Sequence, residues 1–292
     1  MSRKFGKIKI GNAGCVELVD YMGSDRRIVE CAKNSFDSSK DVNDMSEDKI
    51  RRFIEVMIKN GHSSPFEQVV LTFKITAPIF VLRQLMRHRT ARMNENSARY
   101  MDLSVHEPTF WEPSETTFST RKEMSEAELA HVEKQIKEAH RMAYNAYNIL
   151  RNILPKELAR TVLPVSMYST LYWQIDVNNL MKLLALRLDT HAQYEIREYA
   201  AAIFECAKLV VPITMDLFTE HRLYKIEISG DDLKDLSKFF DDHPELKVDG
   251  TPTGILSCKI DSANKVLDSI NNVVENVRKY RTLIEDNTSS NA

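Results

Sequence analysis

Arg83, Arg87, Arg89, Arg92 and Arg99 fall within seventeen consecutive positions, with Glu95 and Asp102 as their nearest acidic company. A guanidinium stays charged at any physiological pH, and its planar fork meets two phosphate oxygens at once. Several of them at a helix end and in the following loop therefore suit phosphate groups. His88 lies among them, and Asn94, Asn96 and Ser97 add amides and a hydroxyl that could complete a phosphate's hydrogen bonds. The whole chain carries 40 Lys and Arg against 42 Asp and Glu, a formal net charge of -2. The cluster is thus a local feature and not part of a basic coat for nucleic acid. Its target should be small and anionic. Eight glycines in 292 residues, with no GxGxxG or P-loop string, leave no glycine-rich turn to cradle phosphates with backbone amides. If a dinucleotide binds, side chains must hold it.

The elements that would position these groups are legible from periodicity. "EQVVLTFKITA" alternates Val69, Leu71, Phe73 and Ile75 with polar neighbours, which predicts a half-buried strand over 67–77. Pro78 suits the first turn of a helix, and that helix would project Gln84, Arg87 and His88 from one face at i, i+3 and i+4. From Thr90 onward the turn formers predict a loop. Upstream, a strand pair is expected around Gly11 to Gly14. An amphipathic helix follows, capped by Ser46 and ended by Gly61, with Ile50, Phe53, Ile54, Met57 and Ile58 as its apolar face. Downstream, Ser125 and Glu128 form a capping-box pattern opening a long helix to about Leu154. A short helix over 156–163 ends at Pro164. Two helices then meet at a second box, Thr190 and Gln193, with Arg187 and His191 near the joint.

With 43% hydrophobic residues and no internal repeat, the body reads as one α+β domain over 1–225. Residues 226–292 form an extension with a helix near 262–285. Its Val266, Ile270, Val273, Val277, Tyr280 and Ile284 repeat at the spacing of a helix packed on another helix. Four cysteines without CxxC spacing suggest reduced thiols. No signal-like start and no run of about eighteen apolar residues occur. These features predict a cytoplasmic protein.

Other chemistries fit less well. Ser97 with His88 lacks a GxSxG elbow and an acid to orient the imidazole. His191 and Glu195, four apart, lack a third ligand, so no metal is expected. His62, just after Gly61, could be an imidazole favoured by a helix end. Tyr168, Tyr172 and Trp173 suit a core or an interface.

"RHRTARMNENSARY", with seven residues between the Arg87–Arg89 triplet and Ser97, resembles the signature of the flavin-dependent thymidylate synthases. "VELVDYMG", "GHSSPFEQ", "APIFVLRQLMRHR", "LARTVLP" and "LALRLDTHAQYEIREYA" are similar to other segments of that family in the same order, from about residue 7 to 225. The resemblance implies the family's domain, an antiparallel sheet with packed helices. It also implies reductive methylation of dUMP to dTMP, with methylenetetrahydrofolate as carbon donor, NADPH as reductant and bound FAD. The substrate contacts it implies are Gln84, Leu85, Met86, Arg87, Glu95, Asn96, Ser97, Ala98, Arg99, Arg160 and Arg187. For FAD it implies Ser64, Arg87, His88, Arg89, Glu95, Asp176, Asn178, Lys182 and His191. Arg187 would face the pyrimidine as a catalytic cation, and His62 would sit by the flavin ring. A homotetramer with sites shared between subunits is implied too, with neither nucleic acid nor membrane as partner. The sequence departs from the family pattern at Gln68, Ala98, Lys182 and the "DVNN" run 176–179. The alternative is a non-catalytic nucleotide- or RNA-binding module that uses the same arginines for phosphates.

Overall fold

The computed structural model describes residues 6–34, 42–100, 103, 107–113 and 124–224. The chain divides into the units Met1–His221 and Arg222–Ala292, and the first is described below. The expected boundary near 225 and the expected helix near 262–285 lie outside the described residues.

Five strands form one antiparallel sheet in the order β1-β2-β3-β5-β4. β1 (Lys7–Ile10) and β2 (Gly14–Met22) make the expected hairpin. Gly11 takes the left-handed conformation at φ 56°, and a Cβ at Gly14 would run into the Tyr199 hydroxyl. β3 (Val70–Pro78) pairs with β2 on one side and β5 (Tyr168–Asp176) on the other. Its alternation is borne out, since Leu71, Phe73 and Ile75 are buried while the intervening residues are half-buried. β5 contributes Leu171, Trp173 and Ile175 to the core, and Trp173 meets Phe73 with ring centroids 5.9 Å apart.

The helices among the described residues are α1 (Asp25–Lys33), α2 (Glu47–Lys59), α3 (Ile79–Leu85), α4 (Glu126–Leu150), α5 (Lys156–Ala159), α6 (Val177–Arg187), α7 (Tyr194–Lys208) and α8 (Pro212–Phe218). α6 packs on β5 and α7, α7 packs on β2, and α1, α2 and α8 pack together. α2 ends as the sequence predicts. Gly61 takes φ 70°, and the Gly61 and His62 amides donate to the Ile58 and Met57 carbonyls at 3.3 and 2.9 Å, the paired bonds of a Schellman turn. The Ser125–Glu128 capping box is present in both directions. None of these helices is long and apolar enough to cross a membrane.

Several local expectations are corrected. Ser46 occupies the N-cap of α2 without a side-chain cap bond. α4 closes at Leu150, although Leu154 N–H still donates to the Leu150 carbonyl at 2.7 Å. The 156–163 segment divides into α5 and a 3-10 turn, Arg160–Val162. At the α6–α7 joint Gln193, not Thr190, holds the N-cap position, and its side chain caps nothing. α3 stops at Leu85, so Arg87 and His88 belong to the turn beyond it and not to a helical face. Their amides donate to the Gln84 and Leu85 carbonyls at 3.3 and 3.0 Å, the i to i+3 tightening common at helix ends. The expected loop contains β4 (Arg92–Glu95). β4 is largely exposed and shows no apolar alternation; pairing with β5, not intrinsic preference, makes it a strand.

Candidate active site

The arginine segment is anchored at both ends and open between them. Leu82 and Leu85 of α3 are buried, which fixes the helix, while Arg83, Arg87, Arg89, Arg92 and Arg99 all reach solvent. None of the five makes an ion pair among the described residues. β4 then runs beside β5 with Arg92 opposite Gln174 and Glu95 opposite Leu171. Asn96 N–H extends that pairing by donating to the Thr170 carbonyl at 2.8 Å. Cations are thus presented on a rigid edge with no anion paired to them among the described residues.

Beyond Asn96 the chain turns sharply. Tyr100 N–H donates to the Ser97 carbonyl at 3.1 Å, and the Ser97 hydroxyl oxygen accepts two long bonds from Arg99, 3.4 Å from its backbone N and 3.5 Å from Nε. The Ser97 proton is not committed by these bonds. The Arg99 guanidinium lies over the Tyr100 ring, 5.1 Å from its centroid. Ala98 packs against a buried cluster of Leu103, Tyr147, Ala159 and Met167. Because Ala98 precedes Arg99 and Ala159 precedes Arg160, that cluster brings the two arginines' backbones to the same part of the molecule. Arg160 is half-buried, with Nε donating to the Glu157 carbonyl at 3.4 Å.

Arg187 closes α6 and reaches back to α3, its Nη2 donating to the Gln84 carbonyl at 3.3 Å. Its Nε is buried and has no partner. Arg187 forms no ion pair with Asp189, Glu195 or any other acidic group among the described residues. Gln84 is held from its other end too, its Nε2 donating to Gln193 Oε1 at 2.8 Å. Burial, and secondarily the Arg187 charge, lower the pKa of His88. That imidazole is therefore held neutral near pH 7 beside a fixed cation. No bond joins His88 to Ser97 among the described residues.

The other residues implied by the resemblance form a second group. His62 and Ser64 are exposed at the end of α2 and in the 3-10 turn Ser64–Gln68. Asn178 is 6% exposed and donates from Nδ2 to Glu67 Oε1 at 3.1 Å, fastening that turn to α6. Asp176 caps α6, accepting from the Asn179 backbone N at 2.9 Å and from its Nδ2 at 2.7 Å. Lys182 is exposed midway along the helix. His191 is 94% exposed, with Nδ1 2.8 Å from Asp189 Oδ1. Asp176 and Arg187 stand at opposite ends of an 11-residue helix, about 16 Å apart at 1.5 Å per residue. One chain therefore assembles Gln84, His88 and Arg187, and keeps His62, Ser64, Asp176 and Asn178 away from them. Sequence reasoning missed Gln193, Glu67 and Thr170 as supports. Only Gln193 carried a local signal, and it read as a cap.

The family profile described as Thymidylate synthase complementing protein matches residues 17–213. Flavin-dependent thymidylate synthases of Treponema denticola and Borreliella burgdorferi are 38% and 41% identical to this chain over 78% and 74% of its length. The matches cover 87% and 83% of those proteins. The chain belongs to the flavin-dependent thymidylate synthase family. Its fold is similar to that of a UMP/dUMP methylase from Streptomyces cacaoi bound with 5-Br dUMP. That match has a TM-score of 0.66 and 33% identity, and covers 74% of this chain and 99% of the other. Membership of the family makes this chain an enzyme with a flavin cofactor, and it displaces the alternative of a non-catalytic binding module.

Proposed function

We propose that the α3 end, β4, the 96–99 turn, Arg160 and Arg187 bind dUMP and prepare its ring for methylation. The enzyme converts dUMP to dTMP, with methylenetetrahydrofolate as carbon donor, NADPH as reductant and FAD as cofactor. One observation carries the assignment of the site: Arg187 is a half-buried cation held by the Gln84 carbonyl, with an unpartnered Nε and no counter-ion among the described residues. Such a guanidinium is preorganised for an anionic or strongly polarised partner.

Each group has a task. Arg99 and Arg160, with the Ser97 hydroxyl, Gln84, Arg87 and the backbone donors of residues 95–99 other than the Asn96 N–H, hold the phosphate. Leu85, Met86 and Asn96 shape the pocket beside it. Arg187 faces the N3 and O4 side of the uracil. As negative charge grows there the guanidinium stabilises it, which makes the ring carbon a better nucleophile. Neutral His88 can accept or donate one hydrogen bond without adding a second positive charge beside Arg187.

Arg87 and Arg89, exposed and without an ion pair among the described residues, fit the pyrophosphate of FAD, with His88, Glu95 and Ser64 beside them. Asp176, Asn178, Lys182 and His191 extend that surface, and His62 would lie near the flavin ring. Bound FAD would supply the redox chemistry that draws on NADPH. The separation of the two residue groups along α6, together with the outer edge of β4, supports a homotetramer in which one subunit's Ser64–Gln68 turn and α6 start complete another's site. Cys15, Cys31 and Cys206 are free thiols, which suits our placement of the protein in the cytoplasm.

A spectrum of the purified protein tests the reading. Flavin absorption should bleach on addition of NADPH, and tritium release from C5-labelled dUMP should require FAD, NADPH and methylenetetrahydrofolate together. Turnover without flavin would sink it.

A further inference from the structure

A cavity of about 230 Å³ opens between the β1–β2 turn, the start of β5 and the first turn of α7. None of the residues assigned above to dUMP or FAD lines it. Trp111, Tyr168 and Tyr199 are among the residues that line it, and these are fixed from outside. The Tyr168 hydroxyl donates to Asn12 Oδ1 at 2.7 Å and the Tyr199 hydroxyl to the Thr76 carbonyl at 3.0 Å. Trp111 meets Phe80 edge-on at 5.6 Å, and its backbone N–H donates to the Ser166 carbonyl at 2.8 Å. Next to it Phe110 stacks on His140 at 4.7 Å. The cavity is preformed.

Three carboxylates also line it: Glu112, Glu195 and Glu198. Glu112 has Lys137 at 4.0 Å. Glu198 feels the Arg197 charge and a hydrogen bond from Tyr194. Glu195 differs. It is 7% exposed and has neither a hydrogen bond nor an ion pair among the described residues. Buried carboxylates are ordinarily partnered, because desolvation of an unpaired charge is costly. The first turn of α7 offers Glu195 some favourable dipole, but no amide bonds to it. The Glu195 carboxylate lines the cavity with no protein cation paired to it among the described residues, so a cation entering there finds it open. No group of three ligands suited to a metal ion occurs among the described residues, whereas fixed aromatic faces beside a carboxylate suit an organic ammonium.

We propose that this cavity binds a short alkyl di- or polyamine, one ammonium group pairing with Glu195 against the faces of Trp111 and Tyr168. Its second nitrogen reaches Glu112 at the mouth, where that side chain is 53% exposed. The ligand is a cation, unlike dUMP, FAD, NADPH or folate, so the site is distinct in chemistry as well as in place.

Calorimetry on the full chain at physiological ionic strength, in amine-free buffer, tests this with 1,4-diaminobutane against 1,4-butanediol, a neutral molecule of similar length. The diamine should bind once per chain and the diol should not. Glu195→Gln should weaken the diamine about tenfold or more, the scale of one lost charge-assisted bond. Glu112→Gln should weaken it by about threefold, as for a screened surface pair. If Glu195→Gln does not fold, Trp111→Leu replaces it, with a loss of about threefold or more from the missing ring face. Equal behaviour of diamine and diol overturns the proposal. So does diamine binding that none of these substitutions weakens, because that is general attraction to an acidic surface.

Discussion

Asp25 and Arg187 are both ionisable side chains drawn partly out of water, and the chain treats them in opposite ways. Asp25, 6% exposed on α1, accepts from the Ile213 and Thr214 amides at 3.0 Å each and from the Thr214 hydroxyl, so it caps the start of α8 completely. Burial raises its pKa while those three bonds pull it down, with burial the larger effect. Arg187 receives one carbonyl and leaves a buried N–H with nothing. A polar group the fold satisfies is a structural device. One that the fold positions without supplying a counter-ion is open to a charged group from outside the chain.

The largest expected effect breaks the comparison from the Arg187 side. Arg187→Ala should slow dTMP formation about 100-fold or more in single-turnover quench measurements at saturating dUMP, the scale of losing one preorganised charge-stabilising donor. Flavin content and fold should survive. A wild-type rate in folded, flavin-loaded variant would return Arg187 to the class of Asp25. Arg187→Lys keeps the charge and loses the planar fork, and should fall between the two.

Arg99 and Arg160 come next. Either change to alanine should weaken dUMP by roughly 1.5 to 3 kcal/mol, the usual worth of a hydrogen bond to a charged group. Deoxyuridine, which has no phosphate, should bind weakly to the parent and be almost indifferent to both changes. Unaltered dUMP affinity by calorimetry would make the two arginines structural.

Asp25→Ala should do the reverse. Loss of the cap and the stranding of the Ile213 and Thr214 amides should cost about 1 to 3 kcal/mol of stability, read in denaturant melts. The dUMP affinity of the folded fraction should not change. A variant with parent stability but weakened dUMP binding would show that the contrast between satisfied and unsatisfied groups has been misread.

The two regions also differ in how far the sequence exposes them. The Gly61 ending of α2, the β3 alternation and the Ser125 capping box are local patterns and are present as read, whereas Ser46 makes no side-chain cap bond and Phe53, expected on the apolar face of α2, is 39% exposed. The arginine segment is legible as a cation cluster because charge type and spacing are written in the chain. Its shape is less so. β4 exists because β5 pairs with it, and nothing in "RMNE" announces a strand. β5 did carry a signal, since Leu171, Trp173 and Ile175 alternate with polar or exposed neighbours, but its aromatics drew notice as packing groups and not as a period of two. The end of α3 at Leu85 moved Arg87 and His88 off a helical face, because the last turn tightens where no side-chain pattern marks it. Asp25 and its partners lie 188 and 189 positions apart in sequence. No local reading joins residues so far separated.

The smallest expected effect sharpens the contrast at His88, whose pKa is lowered first by burial and then by Arg187. An unfolded histidine takes up its proton near pH 6.5, while folded His88 resists until lower pH. Between those two points the unfolded state binds more protons, so this residue costs the protein stability as pH falls through that window and costs nothing above it. Arg187→Ala removes the second cause and leaves the first. The His88 titration, followed by the imidazole Cε1 proton resonance, should therefore move up without reaching the ordinary histidine value, and the acid-side loss of stability should shrink with it. Arg187→Lys keeps the charge and should hold the titration near that of the parent. Bound dUMP gives an independent check: if its charge is brought against Arg187, part of the guanidinium's influence is compensated and His88 should rise in the parent, but scarcely at all in Arg187→Ala. A His88 titration that ignores both the substitution and the nucleotide would mean that Arg187 faces neither, and the unpartnered Nε would then be a packing defect and not a binding group.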